Sequence, residues 1–91
     1  PQSFQLHAAF PNPFNPTTTI QFEIPSVETR HAVSLQIYDI TGRLGETLAD
    51  KILASGYHSV QWNARNFSSG VYFIRLKSGT YSQSQKLILL K

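Results

Sequence analysis

Residues 17–24 read Thr17-Thr18-Thr19-Ile20-Gln21-Phe22-Glu23-Ile24, and the fold class turns on this octet. Thr18, Ile20, Phe22 and Ile24 share one parity; Thr19, Gln21 and Glu23 take the other. Side chains of an extended chain alternate with a period of two, so the octet predicts a strand with one face buried. Pro25-Ser26 ends it, because proline cannot donate to a central ladder.

The same pattern recurs downstream. His31 to Ile40 alternates, with Val33, Leu35 and Ile37 on one face and Ser34, Gln36 and Tyr38 on the other. Asp39-Ile40-Thr41-Gly42-Arg43 supplies a turn, Asp39 by bonding its own backbone and Gly42 by tolerating positive φ. Leu44, Leu48 and Ile52 fit one face of either a helix or a strand. Gly45 and Thr47 weaken a helix, so an extended, bulged segment is expected over 44–53. His58, Val60 and Trp62 share a face in a strand that follows Ala54-Ser55-Gly56. After a polar loop from Asn63 to Gly70, Val71 to Lys77 and Tyr81 to Leu90 form two strands joined by the tight connection Ser78-Gly79-Thr80.

Upstream lies Phe10-Pro11-Asn12-Pro13-Phe14-Asn15-Pro16, in which each proline fixes φ and removes an N–H. An extended or turning connector is expected there, with a short edge strand over Phe4 to Ala8 before it. About seven strands with regular turn signals define an all-β protein, a seven-stranded antiparallel Ig-like β-sandwich. Residues 1–91 are read as a single domain: 1–16 linker, edge strand and proline-rich connector, 17–91 sandwich.

Composition agrees. Val, Ile, Thr, Tyr, Phe and Trp make 29 of 91 residues, while charged residues make only 14%. Without cysteine the fold has no disulfide or zinc-thiolate staple, so apolar packing must hold it. The absence of Met and the opening Pro1 suggest a piece excised from a longer precursor. The net charge of +3 comes from cations scattered singly, which argues against a nucleic-acid partner. No apolar run is long enough to span a membrane.

Chemistry-bearing constellations are missing from the pattern. His7, His31 and His58 fall on three separate segments with no ligand-type partner nearby in sequence, so no metal site and no cofactor are expected. Glu23 lies on the outward face of its strand and Glu28 follows the Pro25 break; no acids pair at the spacing glycoside hydrolysis needs. Ser69-Gly70 lacks the context of a nucleophile elbow, and Asn66-Phe67-Ser68 is read as loop. No catalytic residue is assigned. Trp62, Tyr57, Tyr72 and Tyr81 would make a sugar-stacking platform if exposed, but a cysteine-free domain needs its aromatics inside, and Trp62 and Tyr72 are expected to be buried.

Four segments in fixed order carry a family resemblance. They are Pro11-Asn12-Pro13-Phe14-Asn15-Pro16-Thr17-Thr18-Thr19-Ile20, Val33 to Arg43, Gly56-Tyr57-His58-Ser59-Val60-Gln61-Trp62, and Ser69-Gly70-Val71-Tyr72-Phe73 closing on Lys86-Leu87-Ile88-Leu89-Leu90-Lys91. Together they resemble the C-terminal sorting domain, type A, of the bacterial type IX (Por) secretion system. The resemblance implies an Ig-like sandwich attached to an upstream secreted cargo, often a hydrolase or adhesin. It implies export through the periplasm, recognition by an outer-membrane translocon, and removal by a sortase-like surface peptidase, leaving the cargo secreted or at the cell surface.

The family's proline motif falls on Pro11, Asn12 and Pro13, its Gly-x-Tyr motif on Gly70 and Tyr72, and its basic terminal motif on Lys86 and Lys91. Translocon recognition is expected of Lys86, Leu87, Ile88, Leu89, Leu90, Lys91, Gly70 and Tyr72, with a flexible Lys91 presenting its charge. Gly45 departs from the family, which has an aliphatic residue there. A carbohydrate-binding sandwich and a structural module like the Ig-like part of flagellar hook-capping proteins are the alternatives.

Overall fold

The computed structural model describes residues 2–26 and 30–91; Glu28 lies outside the described residues. Seven strands follow in chain order: β1 (Gln5–Leu6), β2 (Thr17–Ile24), β3 (Arg30–Asp39), β4 (Leu44–Ala54), β5 (Gly56–Asn63), β6 (Gly70–Ser78) and β7 (Tyr81–Leu89). The octet that opens the sequence argument is β2, and its buried parity is the expected one: Thr18, Ile20, Phe22 and Ile24 are each at most 1% exposed.

The strands form two antiparallel sheets, β1-β2-β5 and β4-β3-β6-β7, facing each other across one core. Trp62 joins the β2 residues from the first sheet, and Val33, Leu35, Ile37, Tyr72, Ile74, Leu76, Leu87 and Leu89 come from the second. Each such side chain removed from water contributes ~1.5–3 kcal/mol. The layout is an Ig-like sandwich in which β4 pairs with β3 rather than joining the first sheet, a variation in topology that this architecture tolerates.

Residues 44–53 are extended and bulged, as Gly45 and Thr47 suggest. Leu35 pairs with Ala49 but Gln36 with Thr47, and Ile37 pairs with Glu46 but Tyr38 with Leu44, which leaves Leu48 and Gly45 as extra residues on β4. The common face expected of Leu44, Leu48 and Ile52 is therefore broken. Each bulge shifts the parity by one, so Leu48, Ala49 and Leu53 pack on the core while Leu44 and Ile52 are exposed. At Gly45 the Phe67 ring closes on the backbone: an added Cβ would sit 3.2 Å from Cε1. A side chain at this position would require the Phe67 ring to give by a few tenths of an ångström.

The β3–β4 turn is built by Asp39. Its Oδ1 accepts from the N–H of Thr41 (2.9 Å) and Arg43 (3.0 Å), and Gly42 takes φ 89°. The Thr41 hydroxyl, then the Arg43 N–H, hold the Asp39 carboxyl below its ordinary pKa of 3.8. A depressed folded-state pKa gives stability that is present above the unfolded value and lost as pH falls through the folded one. Asp39→Asn keeps an oxygen for the turn but loses the charge. Wild type should therefore have the higher urea midpoint at neutral pH, and the gap should narrow as pH falls below the unfolded value and through the depressed folded one. A gap of the same size at neutral and acid pH would contradict this account.

Candidate recognition edge

β7 is an edge strand of the four-stranded sheet, and the proline-rich segment lies along its open side. Asn12, flanked by Pro11 and Pro13, meets β7 with its side chain instead of its main chain. Asn12 Nδ2 donates to Lys86 O (3.0 Å) and Asn12 Oδ1 accepts from Ile88 N (3.0 Å). One step on, Phe14 N donates to Ile88 O (3.0 Å) and Phe14 O accepts from Leu90 N (3.0 Å). Donating to one residue and accepting from the next but one is the pattern of a parallel strand, begun by a carboxamide and continued by a real peptide.

The strap is held from the other sheet as well. Phe10 and Thr19 of β2 exchange two main-chain bonds, and Thr18 Oγ1 donates to Pro11 O (2.7 Å). Nearer the β6–β7 hairpin, Gln85 Oε1 accepts from Ala9 N (2.8 Å) while its Nε2 donates to His7 O. Residues 7–14 thus cross from the edge of one sheet to the edge of the other. Phe14, only 3% exposed, enters the core against Trp62, at 5.5 Å between ring centroids.

The other expected residues gather around this edge. Gly70 opens β6 opposite Leu89 at φ +152°, a conformation that side chains rarely adopt. Tyr72 lies opposite Leu87 and sends its hydroxyl back to Ser68 O (2.6 Å), the corner bond by which a tyrosine near the start of the sixth strand fixes the preceding loop in Ig-like sandwiches. Leu87 and Leu89 are fully buried, so only Lys86, Leu90 and Lys91 offer exposed side chains, with Ile88 half-buried.

Lys91, the expected flexible end, makes two hydrogen bonds. Its N–H donates to Ser69 Oγ (2.9 Å) and its Nζ to Arg65 O, because Phe14 holds Leu90 in line and carries the chain end onto the loop before β6.

Asn12 and Phe14 are the residues whose roles the sequence hid. No alternation marks a surrogate strand, and only a single amide flanked by two prolines hints at one. Gln83 and Gln85, alternate polar residues on an edge strand, are the visible signal of the contact: Gln83 Oε1 accepts from Leu6 N (3.4 Å) as Gln85 Oε1 does from Ala9 N.

Elsewhere among the described residues the three histidines have partners of other kinds. His7 Nε2 pairs with Glu23 Oε2, His58 meets Ala54 O (2.8 Å) and stacks on Phe22, and His31 sits edge-on to Phe4. Among the described residues no cluster of three metal-ligating side chains occurs, and no helix is long and apolar enough to cross a membrane. Burial raises the Tyr81 pKa above its ordinary value. Trp62 is fully buried with Nε1 donating to Glu46 Oε1 (3.1 Å), which removes it from any sugar-stacking surface.

In this small two-sheet sandwich, motifs distant in sequence meet along one strapped edge. The chain belongs to the secretion system C-terminal sorting domain family, whose pattern matches residues 8–90. The resemblance carried by the four motifs is borne out. Among solved structures the chain is similar to PorZ, an essential bacterial surface component of the type-IX secretion system of Porphyromonas gingivalis. The two share 26% identity at a TM-score of 0.61, over 94% of this chain and 11% of PorZ. No curated protein matches the sequence.

Proposed function

We propose that this domain is the address by which the type IX outer-membrane translocon recognises an attached upstream cargo, exports it from the periplasm and delivers it to the cell surface. A sortase-like surface peptidase then removes the domain. The observation that carries this reading is the convergence of Pro11-Asn12-Pro13, Gly70, Tyr72 and Lys86 to Lys91 on one edge, Asn12 through bonds to residues more than seventy positions away and Gly70 and Tyr72 through the β6–β7 ladder. Core packing alone gives no reason for an exposed Lys86 and Leu90 beside a strap of exposed Pro11, Asn12 and Pro13. Their exposure suits recognition from outside.

To test it, residues 1–91 are fused behind a signal peptide and a fluorescent protein in a type IX-competent bacterium. Fluorescence is expected at the cell surface or in the medium, together with a cleaved product lacking the domain. Fluorescence retained in the periplasm would sink the proposal, and surface fluorescence on an uncleaved chain would remove the peptidase step alone.

A further inference from the structure

The edge of β7 is already occupied, and its occupant shows what kind of ligand fits. An extended segment running parallel to β7 sits there, joined by four hydrogen bonds to Lys86, Ile88 and Leu90. The two halves of that ladder differ in security. Phe14 uses main-chain groups and is anchored by its ring in the core against Trp62. Asn12 has only its carboxamide on β7, and Pro11, Asn12 and Pro13 are all exposed. Rotating one side chain frees Lys86 O and Ile88 N, while Phe14 stays seated and Phe10 stays tied to Thr19. The strap therefore has a latch, Asn12, between two fixed ends.

Resting on the export reading above, we propose that β7 is a strand-addition site closed by the Asn12 latch. The partner is an extended segment of the outer-membrane machinery that adds parallel to β7 beside Lys86 and Ile88. An added strand supplies main-chain donors and acceptors in a continuous row where Asn12 supplies only one side-chain amide. Lys86 is exposed and forms no ion pair among the described residues, so it suits an acidic side chain on the added strand. In the free domain the closed latch hides an open edge, the feature by which β-proteins pair with wrong partners.

The proposal gives Asn12→Ala an unusual sign. Binding that requires an open latch is weakened by the fraction of time the latch is closed, so removing the latch strengthens it. Loss of two hydrogen bonds that favour closure raises the open population roughly tenfold. The probe is the outer-membrane fraction of a type IX-competent bacterium, titrated with the fluorescently labelled 91-residue chain and competed with unlabelled native chain. Asn12→Ala, and Asn12→Asp, which keeps the size but loses the donor to Lys86 O, should both bind more tightly than native, by up to about tenfold.

Unchanged binding would make Asn12 purely structural, and weaker binding would make it part of a fixed surface; either overturns the latch. No competable binding by the native chain overturns the export reading and this inference together. Amide exchange on the free native chain gives an independent readout. The Ile88 N–H, bonded to the Asn12 side chain, should exchange faster than the Leu90 N–H, bonded to the Phe14 main chain. Equal protection of the two amides means the latch does not open, and refutes the proposal whatever the membranes do.

Discussion

Trp62→Ala should remove a large share of the domain's stability and lower its urea midpoint sharply. Trp62 is fully buried and its ring is the hub of an aromatic cluster, within 5.3 Å of Phe67 and 5.5 Å of both Phe14 and Tyr72 between centroids. Truncating a buried tryptophan costs ~3–5 kcal/mol through lost transfer energy and the cavity left behind. Two further losses follow. The Glu46 carboxylate loses the indole N–H it accepts from, and Phe14 loses the surface that holds the strap in the core. A domain of this size is stable by only ~5–15 kcal/mol, so this one change uses up much of the margin. Urea titration followed by circular dichroism reads the result. A midpoint close to wild type would show that the cluster is not the keystone of the packing. Trp62→Phe, which keeps an aromatic ring but loses the donor to Glu46, should recover a clear part of the lost stability.

How much of this was legible beforehand divides along a physical line. Period-two alternation gave β2 and β3 with their buried faces, because one apolar side and one polar side leave a single workable orientation. The parity of β4 escaped because a bulge is invisible to periodicity: Leu44 and Ile52 look inward on a regular strand, and the extra residues at Gly45 and Leu48 turn them out. Trp62 and Tyr72 were readable as core from the need of a cysteine-free domain to bury its largest rings.

The strapped edge was legible only as separate pieces. Pro11-Asn12-Pro13 and Lys86 to Lys91 stand out as motifs, yet their meeting depends on Asn12 acting as a peptide, a role that no local pattern encodes. The partners of Lys91 were hidden for the same reason, since Ser69 and Arg65 are brought to it by the loop before β6. The sequence displayed the chemistry of the edge, and tertiary structure alone supplied its neighbours.

Deleting Lys86 to Lys91 should abolish export, and should do so by destroying the fold. Leu87 and Leu89 are fully buried, and shortening a buried leucine even to alanine costs ~2–5 kcal/mol at each site. The deletion also removes every β7 partner of Asn12 and Phe14, and strips β6 of the pairs from Gly70 to Phe73. These losses together reach the whole stability of a small domain, so the shortened chain should show no cooperative unfolding transition. Loss of secretion by such a truncation therefore says nothing about recognition.

The discriminating variant leaves the backbone of β7 in place and changes only what it shows to solvent. Lys86→Gln combined with Lys91→Gln alters two exposed side chains, and surface changes of this kind usually stay within ~0.5 kcal/mol each. Its urea midpoint should match wild type while export of the fluorescent fusion falls severalfold. Full export from the double variant would remove the basic residues from the recognition surface, and would leave the strand edge itself as the feature that the machinery reads.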